Sequence, residues 1–242
     1  IAQRYYTLGI YLPGVSISHK TAKGWSFPKQ QQITNYYNYY NYVSYYLAND
    51  GKTLLMSVDR RDSYGERDIY VSFLEHDNFW TEPKNLGNDI NTAADDYSPF
   101  LAADGVTMYY ATSGFATYGN SDIFITKRLD DTWQRWTVPQ NLGPQINTSG
   151  VDAHYTIPAS GEYAYFVSNT VDIEAGRGGF GKEDIFRIRL PEQIKPKPVL
   201  MIAGKVIDTK TQQPIEATII YQTLPEGKEA GRARTSPLDG KY

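Results

Sequence analysis

The chain has 242 residues, with 24 basic and 27 acidic side chains and no cysteine. A net charge of −3 offers no basic field for nucleic acid, and the missing cysteines exclude disulfides, thiolate metal sites and a cysteine nucleophile. No apolar run reaches the roughly 18 residues that a membrane-spanning helix needs. We therefore expect neither a nucleic-acid partner nor a transmembrane helix.

The first 43 residues predict the end of one repeat unit whose beginning is missing. Strand-like segments lie at 5–12 and 15–19, and a biased stretch follows, Asn35-Tyr36-Tyr37-Asn38-Tyr39-Tyr40-Asn41-Tyr42. Its amphipathic rings could pack as loop filling, or they could recognise a partner or a sugar, and the residues alone leave both open. The candidate binding residues are Tyr36, Tyr37, Tyr39 and Tyr40.

A set of landmarks then recurs along the chain at spacings of 54 to 62 residues. The string that begins Trp80-x-x-Pro83 and continues through Asn-Leu-Gly to Ile-Asn-Thr at 90–92 returns 56 residues later, from Trp136 to Thr148. A fainter copy begins at Trp25, and Asp-Ile-aromatic recurs at 68–70, 122–124 and 184–186. A period of this length indicates one supersecondary element per repeat.

The unit at 93–148 predicts four short strands. Residues 97–102 lead into the Asp104-Gly105 turn, and further strands are expected over 106–111, 123–127 and 133–138. Four strands per unit without a helical period are typical of β-propeller blades, although a flat solenoid shares the pattern.

We therefore predict an all-β fold whose first part, residues 1–190, is an incomplete set of four-stranded propeller blades. The blades are assigned to 1–43 (partial), 44–92, 93–148 and 149–190 (partial). Two whole and two partial blades do not close a common ring, so we expect more blades before Ile1.

The composition changes after residue 190. Residues 191–198, PEQIKPKP, predict an extended linker. Strands are expected over 199–206 and 217–221, and Asp239-Gly240 marks a hairpin turn whose return strand lies beyond the chain. We interpret 199–242 as the N-terminal part of a β-sandwich.

Residues for catalysis are hard to find in this sequence. Hydrolase and nucleotide-binding motifs are absent, and the glycine-rich stretch 176–181 lacks the spacing of a phosphate loop. The histidines, at 19, 76 and 154, are not repeat-equivalent and lack ligand spacing. We therefore predict no catalytic, cofactor-binding or metal residue.

Carboxylates are the best remaining candidates for acid–base chemistry, because propeller glycosidases use paired ones. Asp95-Asp96 with Asp152 can be nominated for such a pair. Asp68, Asp122 and Asp184 instead recur at one blade position, where a repeated aspartate is expected to accept hydrogen bonds from loop amides.

Several of these strings resemble a known family. Ser98-Pro99 through Asp122-Ile123-Phe124 resembles the TolB-type, WD-like propeller repeat. The strings at 80–92 and 136–148 resemble the periplasmic propeller of OmpA-family proteins of Bacteroidetes, in which a carboxypeptidase-regulatory-like sandwich follows. Residues 202–242 are similar to the opening of that sandwich. The repeat departs from the pattern at Ser44-Tyr45 and His154-Tyr155, where Ser-Pro would stand.

This resemblance, which is greatest to the PorE type, implies a non-enzymatic scaffold in the periplasm, associated with the outer membrane and accessory to type IX secretion or gliding machinery. Its partners would be envelope proteins, and peptidoglycan would be bound by an OmpA-like domain beyond Tyr242. Protein contacts would use the tyrosine stretch and the loops at 112–121 and 169–183. The alternatives are a glycan-acting propeller hydrolase and a lectin-like or peptide-binding module.

Overall fold

The computed structural model describes residues 3–5, 11–21, 23–76, 78–158, 161–170, 182–196 and 202–242. These residues form strands and loops, with a single 3-10 turn at Glu192–Ile194 as the one helical element among them. The chain divides into two compact units, Ile1–Pro198 and Val199–Tyr242. The prediction of an all-β fold is confirmed.

The first unit begins with short strands that pair locally. They are β1 (Gln3–Tyr5), β2 (Tyr11–Pro13), β3 (Ser16–Ile17), β4 (Lys20–Thr21), β5 (Gly24–Trp25), β6 (Lys29–Gln30) and β7 (Gln32–Ile33). The antiparallel pairs are β1–β2, β3–β6 and β4–β5, whereas β7 runs parallel to Phe79–Trp80, a strand of the next sheet.

Three larger sheets follow, one for each of the next repeats. The second repeat holds β8 (Ser44–Leu47), β9 (Thr53–Val58), β10 (Asp68–His76), β11 (Phe79–Trp80) and β12 (Lys84–Asn85). The third holds β13 (Asp96–Leu101), β14 (Thr107–Thr112), β15 (Asp122–Lys127) and β16 (Gln140–Asn141). The fourth holds β17 (Asp152–Thr156), β18 (Tyr163–Ser168) and β19 (Asp184–Arg189).

Each of these sheets is an antiparallel meander that packs against the next. In the sheet of the second repeat, β11 and β12 both pair with β10. In the sheet of the third repeat, the order is β13-β14-β15-β16. Strands β9 and β14 are buried at every position, because both faces of these middle strands are covered. One apolar cluster lies between the sheets of the second and third repeats, and another lies between the sheets of the third and fourth repeats. The first strands of the sheets lie side by side, β8 against β13 and β13 against β17.

The second unit contains one regular hairpin, β20 (Thr218–Gln222) with β21 (Glu229–Arg234). The strand expected over 199–206 falls partly outside the described residues. Its described part forms only an isolated bridge, between Lys205 and Lys241.

The predicted strand at 133–138 is wrong. The fourth strand of that sheet is β16, just after Pro139, which pairs with Phe124 and Ile125. Residues 133–138 are irregular: Trp133 has a φ of 63°, and Trp136 forms a single bridge with Arg128. Both indoles are buried, and Trp136 Nε1 donates to the Trp133 carbonyl at 3.0 Å. Aromatic burial, rather than strand pairing, explains these tryptophans.

Candidate functional site

In the second repeat, Asn85 and Asn91 of the repeated motif connect the last strand, β12, to strand β10. Asn91 Oδ1 accepts the Ile69 N–H at 2.8 Å, while its Nδ2 donates to the Ile69 carbonyl at 2.9 Å and to Asn85 Oδ1 at 2.8 Å. In the next unit Asn147 makes the same three bonds, to Ile123 and Asn141. The buried amide thus completes the pairing where the ladder ends, and the recurring asparagines are structural.

The recurring aspartates are buried acceptors. Asp68 Oδ2 accepts the Tyr64 N–H at 2.9 Å, and Asp122 Oδ2 accepts the Tyr118 N–H at 2.8 Å. Both carboxylates are fully buried, and burial raises the pKa of Asp68. The prediction that this position binds loop amides is confirmed for these two. The loop that precedes Asp184 lies mostly outside the described residues.

The nominated pair, Asp96 and Asp152, is buried in the same manner at the start of β13 and β17. Each accepts the backbone N–H of the Ile-Asn-Thr threonine at 2.6 Å, Thr92 for the first and Thr148 for the second. Burial raises the pKa of Asp96 to about 7, against the opposing effect of hydrogen bonds from Thr112 and Thr92. These carboxylates close loops inside the protein and do not face solvent.

The tyrosine segment, residues 35–42, lies along the loop that joins β9 to β10. The Tyr39 N–H donates to the Asp59 carbonyl at 3.0 Å, and the Asp59 N–H donates to Asn38 Oδ1 at 2.9 Å. Asn38 Oδ1 also accepts the Tyr40 N–H at 3.1 Å. Asn38, between the tyrosines, therefore fixes the backbone that carries the rings.

The four predicted binding tyrosines fall into two pairs. Tyr36 and Tyr37 are half-buried: the Tyr36 hydroxyl lies 2.5 Å from that of Tyr45, and the Tyr37 ring centroid lies 4.2 Å from Arg60 Cζ. Tyr39 and Tyr40 are 59% and 39% exposed. Packing and exposure thus both occur within this short segment.

Exposed rings continue to the end of the segment. Tyr42 is 71% exposed, and its ring centroid lies 6.0 Å from that of Tyr40. Arg61 Nε donates to the Tyr39 hydroxyl at 3.1 Å. We call Tyr39, Tyr40, Tyr42 and Arg61 the tyrosine rim.

A polar cavity of about 280 Å³ lies beside this rim. Its walls come from three successive repeats, and its lining residues are Arg67, Asp95, Tyr97, Ser113, Asn120, Ser121, Val151, Ala153, His154, Val167 and Glu183. Sequence reasoning gave no role to most of these residues. We call this space the polar cavity.

Arg67 is held firmly in the wall of the polar cavity. Its Nε and Nη2 donate to Asp95 Oδ1 and Oδ2 at 2.9 and 2.8 Å. Its guanidinium lies between two rings, with Cζ at 4.7 Å from the centroid of Tyr40 and 4.9 Å from that of Tyr97. Burial alone would raise the pKa of Asp95, but the hydrogen bonds and charge of Arg67 outweigh it and lower that pKa. The pair is therefore ionised, rigid and neutral overall.

Equivalent positions of the repeat supply the cavity wall. Arg67, Ser121 and Glu183 each directly precede Asp-Ile-aromatic, and all three line the polar cavity. The framework around them recurs, while this position carries a cation, a hydroxyl and an anion in turn. The framework that recurs is structural, whereas the residue at this position of the cavity wall changes from repeat to repeat.

His154 occupies the place that Ser98 occupies one repeat earlier. Both adopt the left-handed conformation, with φ of 56° and 52°, and His154 Nδ1 lies 3.1 Å from Ser98 Oγ. Burial lowers the pKa of His154, which the charge of Glu183 partly offsets. The ring is therefore neutral at pH 7. The signal for this residue was its departure from Ser-Pro in the repeat.

No protein-family model and no curated protein matches this chain. Within the described ranges, no group of three or more His, Asp or Glu side chains is placed to hold a metal ion. A search of the same residues finds no helix long and apolar enough to cross a membrane. The glycine-rich stretch at 176–181 and most of the loop at 169–183 lie outside the described residues.

Proposed function

We propose that the repeated sheets are blades of a β-propeller, and that the protein is a non-enzymatic scaffold of the periplasm, associated with the outer membrane. Two features support the propeller. Successive meanders share apolar cores face to face, and their first strands, β8, β13 and β17, lie side by side. First strands that converge in this manner are expected around a propeller axis.

The tyrosine rim is the observation that carries the scaffold role. Tyr39, Tyr40 and Tyr42 are exposed, yet their backbone is held by Asn38 and Asp59. Tyrosine and arginine are enriched where proteins bind one another, and a tyrosine buries much area with only two rotatable side-chain bonds. A surface that is ordered before binding also loses less conformational entropy when a partner arrives.

The carboxylates favour a scaffold over a glycan hydrolase. Asp68, Asp96, Asp122 and Asp152 are fully buried and hydrogen-bonded to loop amides, and Asp95 is paired with Arg67. A hydrolase of the paired-carboxylate type needs two groups that reach the same sugar. The nominated aspartates act instead within the framework.

The partners that fit this proposal are envelope proteins of a type IX secretion or gliding machinery. That choice comes from the resemblance of the 80–92 and 136–148 strings to OmpA-family proteins of Bacteroidetes. In such proteins an OmpA-like domain binds peptidoglycan. A propeller tethered to peptidoglycan through that domain would hold its partners near the cell wall.

The test is site-specific photo-crosslinking in the native cells, with a benzophenone side chain at position 42. Val138, which is 84% exposed, supplies the matched control position outside the rim. We expect discrete adducts with periplasmic or outer-membrane-associated proteins from position 42 and none from position 138. Adducts with cytoplasmic proteins, or equal labelling at both positions, would contradict the proposal, and capture of glycan alone would favour the lectin-like alternative.

A further inference from the structure

We propose that the polar cavity receives one basic side chain, a lysine or an arginine, from a protein partner. This inference rests on the scaffold role proposed above, because it names the chemistry of the partner at a second place beside the tyrosine rim. The argument comes from the charges, the size and the free groups of the cavity.

The charges that line the polar cavity leave one anion without a partner. Arg67 and Asp95 neutralise each other, and His154 is neutral at pH 7. Glu183 is exposed and forms no ion pair within the described ranges. A cation that enters the cavity therefore meets a net charge of about one negative unit, in a partly enclosed space where screening is weaker than in open water.

Other groups in the wall suit the rest of a basic side chain. Ser113 and Asn120 line the cavity, and the side-chain oxygen of either residue can accept hydrogen bonds from an ammonium or a guanidinium. Ala153 and Val167 are apolar wall residues against which the methylene stem can pack. The cavity thus offers acceptors for the charged head and apolar contacts for the stem.

The size of the polar cavity argues for one side chain rather than for a larger ligand. Its volume is about 280 Å³, just below the roughly 300 Å³ at which pockets for drug-sized molecules and cofactors begin. A single lysine or arginine side chain fits within such a space, and the rest of the partner can lie on the rim outside it.

An anionic occupant is the main alternative, and the geometry of Arg67 disfavours it. An arginine that binds a carboxylate or a phosphate normally presents two parallel N–H groups. In Arg67, Nε and Nη2 already donate to Asp95 at 2.9 and 2.8 Å, and the ring faces of Tyr40 and Tyr97 cover the guanidinium. A ligand carboxylate would also meet Glu183, which repels it.

The test is a titration of the protein with Nα-acetyl-arginine methylamide, followed by NMR of the His154 imidazole. The signal is assigned from its loss in His154→Asn. The matched probe is the citrulline analogue, which has nearly the same shape and no charge. We expect saturable shifts with the arginine probe, and a dissociation constant at least about tenfold larger for citrulline, which lacks the charge-assisted bonds.

Two variants make the result specific to Glu183. Glu183→Gln removes the unpaired charge and should weaken binding of the arginine probe about tenfold. Glu162→Gln, an exposed site just before β18 at the far end of the same sheet, should leave binding unchanged. Equal affinity for the two probes, or equal affinity of Glu183→Gln and Glu162→Gln for arginine, would overturn the proposal. Binding of the probe in solution needs no cellular partner, so this test and the crosslinking test fail independently.

Discussion

The connection at 85–96 and the tyrosine segment at 35–42 lie at corresponding places in the repeat, since Trp25 and Trp80 are 55 residues apart. Their side chains lie in opposite environments, buried in the connection at 85–96 and exposed in the tyrosine segment. In the first, Leu86, Ile90 and Asn91 are buried and bind the neighbouring strand. In the second, the rings of Tyr39, Tyr40 and Tyr42 face solvent. The comparison separates residues that hold sheets together from residues that are free to bind a partner.

The largest expected effect is the pH dependence of the free energy of unfolding, which we ascribe to Asp96 at the end of the buried connection, residues 85–96. Asp96 is buried there at the start of β13, and its carboxylate accepts the Thr92 N–H. Burial raises the pKa of Asp96 to about 7, so the folded protein retains a proton that the unfolded chain releases near pH 4. The free energy of unfolding should therefore fall as pH rises from about 4 to about 7, by up to about 4 kcal/mol.

Asp96→Asn replaces the carboxyl group by an uncharged amide of nearly the same shape, and should remove most of that fall. The measurement is urea unfolding at a series of pH values. Asp131→Asn, at a fully exposed carboxylate, is the control and should leave the pH dependence unchanged. A curve for Asp96→Asn that parallels that of the wild type would refute the assignment.

The next effect concerns the buried amide. Asn91→Ala removes three hydrogen bonds and leaves the buried N–H of Ile69 unsatisfied, while the Ile69 carbonyl keeps its bond from the Leu86 N–H. We therefore expect a loss of about 2–4 kcal/mol in the free energy of unfolding. Asn38→Ala, in the half-exposed tyrosine segment, should cost about 1 kcal/mol, because water replaces its bonds. Equal losses in chemical denaturation would contradict the distinction between the two connections.

A steric test comes third. Gly65, in the loop between β9 and β10, approaches the buried connection so closely that a Cβ would lie 2.3 Å from the carbonyl carbon of Ala93. Gly65→Ala must separate two backbones and should cost about 1–3 kcal/mol in thermal or urea unfolding. Gly105→Ala, where φ is +67° and the space is open, tests backbone strain alone and should cost about 1 kcal/mol.

The smallest effect is expected in the tyrosine segment. Tyr39→Ala should change the free energy of unfolding by less than about 0.5 kcal/mol, because the ring is mostly exposed. Tyr36→Ala should cost more than about 1 kcal/mol, since that side chain packs against the core and is bonded to Tyr45. Urea unfolding of both variants checks the order, and a reversed order would show that the rim is structural.

The period of the sequence predicted the all-β fold and the strand β14 well, because a buried strand rich in β-branched and aromatic residues has a strong pattern. The same pattern wrongly predicted a strand at 133–138, where Trp133 and Trp136 are buried without forming a strand. The function of Asn91 was hidden because its partner, Ile69, is 22 residues away in the chain.

The polar cavity was not predicted, since sequence spacing alone does not show that Arg67, Ser121 and Glu183 share one wall. Only the folded sheets bring these positions together. Their equivalence in the repeat was nevertheless readable, because each precedes Asp-Ile-aromatic. Attention to differences between repeats, as well as to their likeness, would have selected them.

The equivalence of these wall positions also bears on how such a protein can diverge. Arg67 is paired with Asp95, and Ser121 is hydrogen-bonded to the Tyr97 hydroxyl, so both side chains help to hold the wall. Glu183 is exposed and forms no ion pair among the described residues. A single substitution at 183 can therefore change the charge of the cavity while the sheets remain intact, so a duplicated repeat can vary one wall position on a constant framework.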